Sequence, residues 1–345
     1  MLTYEKTRDG LHIKGVGFDI TKTALSGQIF RYLETDGGFV IFSKDKRAVC
    51  INCKSADYEG AKGGFIDGES GGDKKSDCVF NQSAECGDKK SGGASFQNSD
   101  GGIICGENDN KCYENREKSE NFIKIITKDG DYFIKYFDLN KNYDIIKDKY
   151  GSNAAVADAI EYSGGIRMLR QDCFETVISF IISANNNIPR IKAIIERLCK
   201  KSGRDMDGGL FNAFPEPFEM RDLSEEFYKS IGAGYRASYL YKTVRAINDG
   251  FDLNRVFGMP ADEAQKYLMR LEGVGPKVAD CILLFAYGKG GVFPVDTWIK
   301  KSAKELFGID CGDIKKISRE LVGLFGEDSG IIQQYIYYYM RSLKE

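Results

Sequence analysis

Two hydrophobic periods divide the chain. In the first third, the short apolar runs Leu11 to Ile20 and Phe39 to Phe42 read as β-strands. Further along, Asn121 to Thr127 and Asp131 to Phe137 flank Lys128-Asp129-Gly130, which predicts a β-hairpin. From about Asn140 the pattern turns helical. Phe174, Val177, Ile178 and Ile181 share one face, and Ile191, Ile194, Ile195 and Leu198 share another. Ala264, Tyr267, Leu268 and Leu271 repeat the helical spacing; Gly273-Val274-Gly275 then breaks it, and Pro276 suits the first turn of a new helix. The expected class is α+β: an N-terminal antiparallel β-sheet domain over 1–139, followed by an all-helical body that contains a helix-hairpin-helix. The body divides into 140–250, with an Asn-Asn-Asn turn and a Tyr-Arg pair, and 251–345, with the hairpin and a final helix.

Residues from about 51 to 115 fit neither period and read as a low-complexity insertion within the sheet domain. Residues 51–110 hold 12 of the 39 glycines and 7 serines. They also hold 6 Lys/Arg against 11 Asp/Glu, leaving 43 against 40 elsewhere, so the overall net charge of −2 comes from the insertion and the rest of the chain is slightly basic. Of the ten cysteines, Cys50, Cys53, Cys78, Cys86, Cys105 and Cys112 lie in or beside this segment, and Cys173, Cys199, Cys281 and Cys311 are scattered. Cys50-x-x-Cys53 has no second pair of matching spacing and His12 is the only histidine, so no metal site is expected. With 42% hydrophobic content and no apolar run of membrane length, a soluble globular protein is expected. The charged start lacks a signal-peptide core, which predicts an intracellular address, cytoplasmic in a bacterium or nuclear in a eukaryote.

The chemistry concentrates in Leu271-Glu-Gly-Val-Gly-Pro-Lys-Val-Ala-Asp-Cys281 and Phe293-Pro-Val-Asp-Thr-Trp298. A hairpin containing Gly273 and Gly275 points free backbone N–H groups at a phosphate without reading a base. Lys277 falls in the first turn, where the helix dipole disfavours a cation. That placement favours the neutral amine, the form that makes a Schiff base with a sugar carbon. Asp296 precedes a helical run and serves as an N-cap; a carboxylate fixed this way also suits an oxocarbenium-like sugar. A solvated lysine and a plain cap are the bland alternatives. Together the two residues point to a glycosylase with lyase activity.

These segments resemble the helix-hairpin-helix DNA glycosylases with a Gly/Pro-rich loop and a catalytic aspartate, and among them the 8-oxoguanine DNA glycosylase/lyases. Further matches are Leu25-Ser-Gly-Gln-Ile-Phe-Arg31, Leu169-Arg-Gln-Asp172 running to Ser183-Ala-Asn-Asn-Asn-Ile-Pro-Arg190, Gly234-Tyr-Arg236, and the final helix with Gln333 and Tyr337. The resemblance implies base flipping from double-stranded DNA containing oxidised guanine opposite cytosine, followed by strand cleavage through a lysine Schiff base. It implies that Asn185 fills the vacated stack, that Tyr235 and Arg236 wedge and read the cytosine, and that Arg190 reads it too. Cys281 and Tyr337 would sandwich the purine, with Gln333 on its Watson-Crick edge. 8-Oxoguanine carries a proton on N7 where guanine carries a lone pair, and the carbonyl of Gly27 would accept it. Spacing is compatible: Lys277 and Cys281 are four apart, as are Gln333 and Tyr337, so each pair shares a helix face.

The pattern departs from the family at Trp298, where a phosphate-contacting histidine is usual, and at Tyr337, where phenylalanine is usual. The iron-sulfur cysteines of endonuclease III-type relatives are absent. The implied protein is a monomer without cofactor and without membrane contact. Alternatives are an alkylpurine glycosylase of the same superfamily, which typically lacks the hairpin lysine, and a non-catalytic helix-hairpin-helix module, which needs neither Lys277 nor Asp296.

Overall fold

Strand alternation in the first third builds one continuous sheet. The structure, a computed structural model, describes residues 2–15, 17–53 and 122–343. These fall in one compact unit, Met1–Ser55 with Glu120–Glu345. Strands β1 (Thr3–Thr7), β2 (Gly10–Lys14), β3 (Tyr32–Thr35), β4 (Gly38–Ser43), β5 (Lys46–Cys53) and β6 (Phe122–Ile126) pair antiparallel in the order β1-β2-β6-β5-β4-β3. Leu11, Ile125, Cys50 and Phe39 stand opposite one another across β2, β6, β5 and β4, each no more than 2% exposed. A slip of one residue would turn this row away from the core, so the row fixes the register.

Cys53 pairs directly with Phe122 at the end of the β5–β6 ladder, so the chain leaves the sheet and rejoins it at facing positions. Strand β5 thus runs past residue 51, where the insertion was expected to begin. The rest of that segment, with Cys78, Cys86, Cys105 and Cys112, lies outside the described residues. Cys50 and Cys53 are three apart on an extended strand and point to opposite faces, so they do not converge on one ion.

Two sequence expectations give way here. The strand expected over Leu11 to Ile20 ends at Lys14; Asp19 then caps α1 (Ile20–Leu25), its Oδ1 accepting from Lys22 N at 2.9 Å. The expected hairpin has only its first strand, because 131–137 lies largely in helix α2 (Gly130–Tyr136). Phe133, Ile134, Tyr136 and Phe137 are buried while Lys135 is exposed, a helical spacing that the aromatic, strand-favouring composition conceals.

The helical body follows the predicted period: α3 (Asp144–Tyr150), α4 (Ala157–Ser163), α5 (Cys173–Ser183), α6 (Ile188–Ser202), α7 (Glu225–Ser230), α8 (Arg236–Asn248), α9 (Ala261–Leu268), α10 (Pro276–Phe285), α11 (Thr297–Phe307), α12 (Ile314–Phe325) and α13 (Ser329–Ser342). Its buried side chains form one cluster that includes Tyr143 and Met340, so the core is continuous across residue 250. The sheet keeps its own core with α1 and α2. A buried ion pair ties the two layers: Arg31 Nη1 lies 3.3 Å from Glu175 Oε1 on α5, and Lys44 N donates to Glu175 Oε2 at 2.8 Å. No helix among the described residues is long and apolar enough to cross a membrane.

Candidate active site

The hairpin is shaped by glycines whose absence of a side chain is used. Gly273 sits at φ 80°, and a Cβ there would lie 2.8–2.9 Å from Tyr239 atoms, so only glycine lets the turn lie against α8. Gly275 occupies the N-cap of α10 and Pro276 its first turn, which sets Lys277 at the helix start. Ala264 and Leu268, both fully buried, anchor the preceding helix. The two hairpin helices are also joined by Gln265 Nε2 donating to Asp280 Oδ1 at 2.5 Å.

Lys277, Cys281, Asp296, Gln333, Tyr337 and Gly27 come from three regions far apart in sequence, yet all line one pocket of about 60 Å³. Asp296 caps α11, its Oδ1 accepting from Ile299 N at 2.8 Å, so its direction is fixed as the capping pattern predicted. Gln333 is 5% exposed, and its Oε1 has no hydrogen-bond partner. A buried acceptor left in this state is costly unless a ligand donates to it. Gly27, at φ 82°, lies so close to Tyr337 that a Cβ would stand 3.3 Å from its ring. The aromatic run of the last helix divides its labour: Tyr335 is buried core, Tyr337 lines the pocket, and Tyr338 and Tyr339 pack on Tyr162.

Sequence reasoning missed part of the lining. Phe180 and Phe285 stack with ring centroids 5.6 Å apart, and Lys277 Nζ lies 5.8 Å from the Phe180 centroid. Phe180, Phe285, Pro294, Ser26 and Gln334 complete the walls. Periodicity marks Phe180 and Phe285 only as apolar helix residues. Nothing in the one-dimensional pattern separates a pocket wall from a core.

The electrostatics reverse one expectation. Lys277 is held above its ordinary value of 10.5: the Cys281 sulfur acts first, burial opposes it, and the Asp296 carboxylate adds to the rise. Burial pushes the Cys281 thiol up to about 11, with the Lys277 ammonium beside it pulling the other way. The protonated amine is thus favoured, where the dipole alone predicted a neutral one.

The remaining predicted residues assemble elsewhere, at the turn between α5 and α6. Asn185 is exposed and takes φ 49°, and Asn187 caps α6 by accepting from Arg190 N at 3.0 Å. Tyr235 is 56% exposed, with its hydroxyl donating to Ala184 O at 3.2 Å, and Arg190 is exposed. Arg236 differs from expectation. It is 2% exposed, and its Nε and Nη2 donate to Ala184 O and Nη2 also to Asn185 O at 2.7 Å, so in this arrangement it fastens the turn instead of offering a fork to a base. Trp298 stands half-buried in the first turn of α11.

A glycine hairpin presenting a half-buried lysine and a capping carboxylate to a narrow pocket defines a helix-hairpin-helix base excision protein. Comparison with known families agrees: the model described as HhH-GPD superfamily base excision DNA repair protein matches residues 178–326, and that described as 8-oxoguanine DNA glycosylase, N-terminal domain, matches residues 11–177. The chain belongs to the 8-oxoguanine DNA glycosylase family. It is 32% identical over 231 residues to a protein of Methanothermobacter thermautotrophicus named "probable N-glycosylase/DNA lyase", covering 59% of this chain and 71% of that one. It is 33% identical over 193 residues to the N-glycosylase/DNA lyase of Saccharomyces cerevisiae, spanning 52% of this chain and about half, 51%, of the yeast protein. Among solved structures, the Clostridium acetobutylicum 8-oxoguanine glycosylase/lyase, bound to double-stranded DNA with cytosine opposite 8-oxoguanine, superposes with a TM-score of 0.75 at 27% identity. That match covers 99% of both chains.

Proposed function

We propose that the chain excises 8-oxoguanine paired with cytosine from duplex DNA and then cuts the strand, with Lys277 as nucleophile and Asp296 as its electrostatic partner. The observation that carries this reading is the buried, unpartnered Gln333 Oε1 in the same pocket as Lys277 and Asp296. The N1–H and amino group of a flipped guanine-type base supply the donors it lacks. Cys281 and Tyr337 flank that base, and the Gly27 carbonyl accepts the N7 proton that only the oxidised base has.

For attack, the Lys277 ammonium must first lose its proton, and Asp296 is the adjacent base able to relay it. The amine then bonds to C1′ as the C1′–N9 electron pair leaves with the base, which takes up a proton. Asp296 stabilises the positive sugar that develops between the two events. Opening of the sugar ring gives the imine, and loss of a C2′ proton expels the 3′ phosphate. Asn185 fills the space left in the stack, Tyr235 wedges beside it, and Arg190 donates to the cytosine O2 and N3, with Arg236 holding the turn. The hairpin amides around Gly273 and Gly275 grip the backbone. The protein is read as a monomer working wherever its DNA lies.

Borohydride trapping on duplexes carrying 8-oxoguanine opposite each base tests this. A covalent adduct is expected, strongest opposite cytosine, and it is expected to vanish in Lys277→Gln. Trapping that survives the substitution refutes the nucleophile.

A further inference from the structure

The loop that presents Gly27 is held by two side chains of the last helix that no motif marks. Helix α1 ends at Leu25, so its final carbonyls have no donors within the helix. The C-terminal helix α13 supplies them: Arg341 Nη2 donates to Leu25 O at 2.7 Å, and Gln334 Nε2 donates to Ser26 O at 2.5 Å. Seven residues separate Gln334 from Arg341, two helical turns, so one face of α13 delivers both donors to consecutive carbonyls. On the far side Gln171 Nε2 donates to Gln28 O at 2.9 Å. The Gln28 side chain is itself tied to Arg167 O, to Ser26 Oγ and to Leu169 N.

The carbonyls of Leu25, Ser26 and Gln28 are thus each bound. Among the hydrogen bonds of the described residues none ends on the Gly27 carbonyl, and Gly27 is the residue of this run at positive φ in the pocket wall. Gln334 is 3% exposed, so water does not replace its bond. The peptide between Ser26 and Gly27 is the plane that Gln334 grips, and turning it would reorient everything that Gly27 presents.

We infer that Gln334 and Arg341 are positioning residues for substrate discrimination: by holding the Leu25 and Ser26 carbonyls on α13, they fix the direction of the Gly27 carbonyl, the one carbonyl of the Leu25–Gln28 run that accepts no hydrogen bond among the described residues. This rests on the 8-oxoguanine reading above and deepens it. The clasp bonds run to the Ser26 and Leu25 carbonyls and not to Lys277 or Asp296, so the clasp acts on reading the purine and not on the Lys277 chemistry.

The test separates those two steps in the full chain. One duplex carries 8-oxoguanine opposite cytosine, and a second carries a preformed abasic site opposite cytosine, which needs Lys277 but presents no purine. Gln334→Met keeps side-chain length and removes the donor. Single-turnover excision of 8-oxoguanine is expected to fall by about 10- to 100-fold, with abasic-site cleavage within about twofold of the parent. Gln334→Glu supplies a donor only when protonated, so its excision is expected to recover relative to the parent as pH falls. Unchanged excision in Gln334→Met overturns the inference. So does an equal fall in both reactions, which would make Gln334 a support of the whole pocket, and so does a Gln334→Glu profile parallel to that of the parent. A parent protein that cleaves abasic sites but leaves 8-oxoguanine intact refutes the substrate reading instead.

Discussion

Asp280 is an acid buried where an amide would serve better, and that cost can be measured. It lies between Lys277 and Cys281 on α10, is 4% exposed, and accepts one hydrogen bond, from Gln265 Nε2. Burial raises its carboxyl from an ordinary 3.8 to about 6, although the Gln265 bond pulls the other way. The folded value exceeds the unfolded one, so the protonated acid favours the fold below 3.8, and that contribution is lost as pH rises through 6. A gap of about two pKa units corresponds to about 3 kcal/mol in the full-ionisation limit. Asp280→Asn keeps an oxygen for Gln265 and has nothing to ionise. Urea unfolding is therefore expected to show the variant more stable by about 3 kcal/mol at pH 8 and by about half that at pH 5. Abasic-site cleavage is expected to stay within about twofold, because Asp280 bonds the neighbouring helix and does not line the base pocket. A stability difference of the same size at both pH values, or a less stable variant at pH 8, refutes burial as the cause.

Asp296→Asn retains an oxygen for the Ile299 amide and removes the charge; base excision is expected to fall more than about tenfold with duplex affinity nearly unchanged, and unchanged excision reduces Asp296 to a cap. Glu175→Gln leaves the Arg31 guanidinium buried without its anion, and a loss of about 3–5 kcal/mol in urea unfolding is expected; a loss below about 1 kcal/mol would show that the pair does not join the two layers. Gly273→Ala combines a positive φ with a Cβ pressed on Tyr239, so both a loss of about 1–3 kcal/mol and weaker binding to abasic duplex in gel-shift titration are expected. Because Cys53 faces Phe122, replacing residues 55–119 by a short hairpin turn is expected to leave excision and thermal stability intact, and collapse of either contradicts that pairing.

What the sequence disclosed and what it withheld have a common physical origin. Helical periods over α5, α6 and α9 were legible because each buries a stripe repeating every 3.6 residues. The segment 131–137 was not, because its aromatic residues favour strands and its helical stripe spans only seven residues, too few for the period to outweigh composition. Lys277 and Asp296 stood out through local rules, a cation against a dipole and an acid before a helix, which need no third dimension. Their electrostatics did need it. The rise in the Lys277 pKa comes first from Cys281 one turn along the same helix and then from Asp296, which only chain folding brings to the amine, and no spacing rule encodes that. Gln334 shows the same limit from the other side: beside Gln333 it reads as a second polar residue on a helix, and only the fold places Ser26, 308 positions earlier, under its amide. A buried donor meeting a distant carbonyl is therefore the class of specificity determinant that pattern reading misses, and at this site it stands next to the residue that pattern reading found.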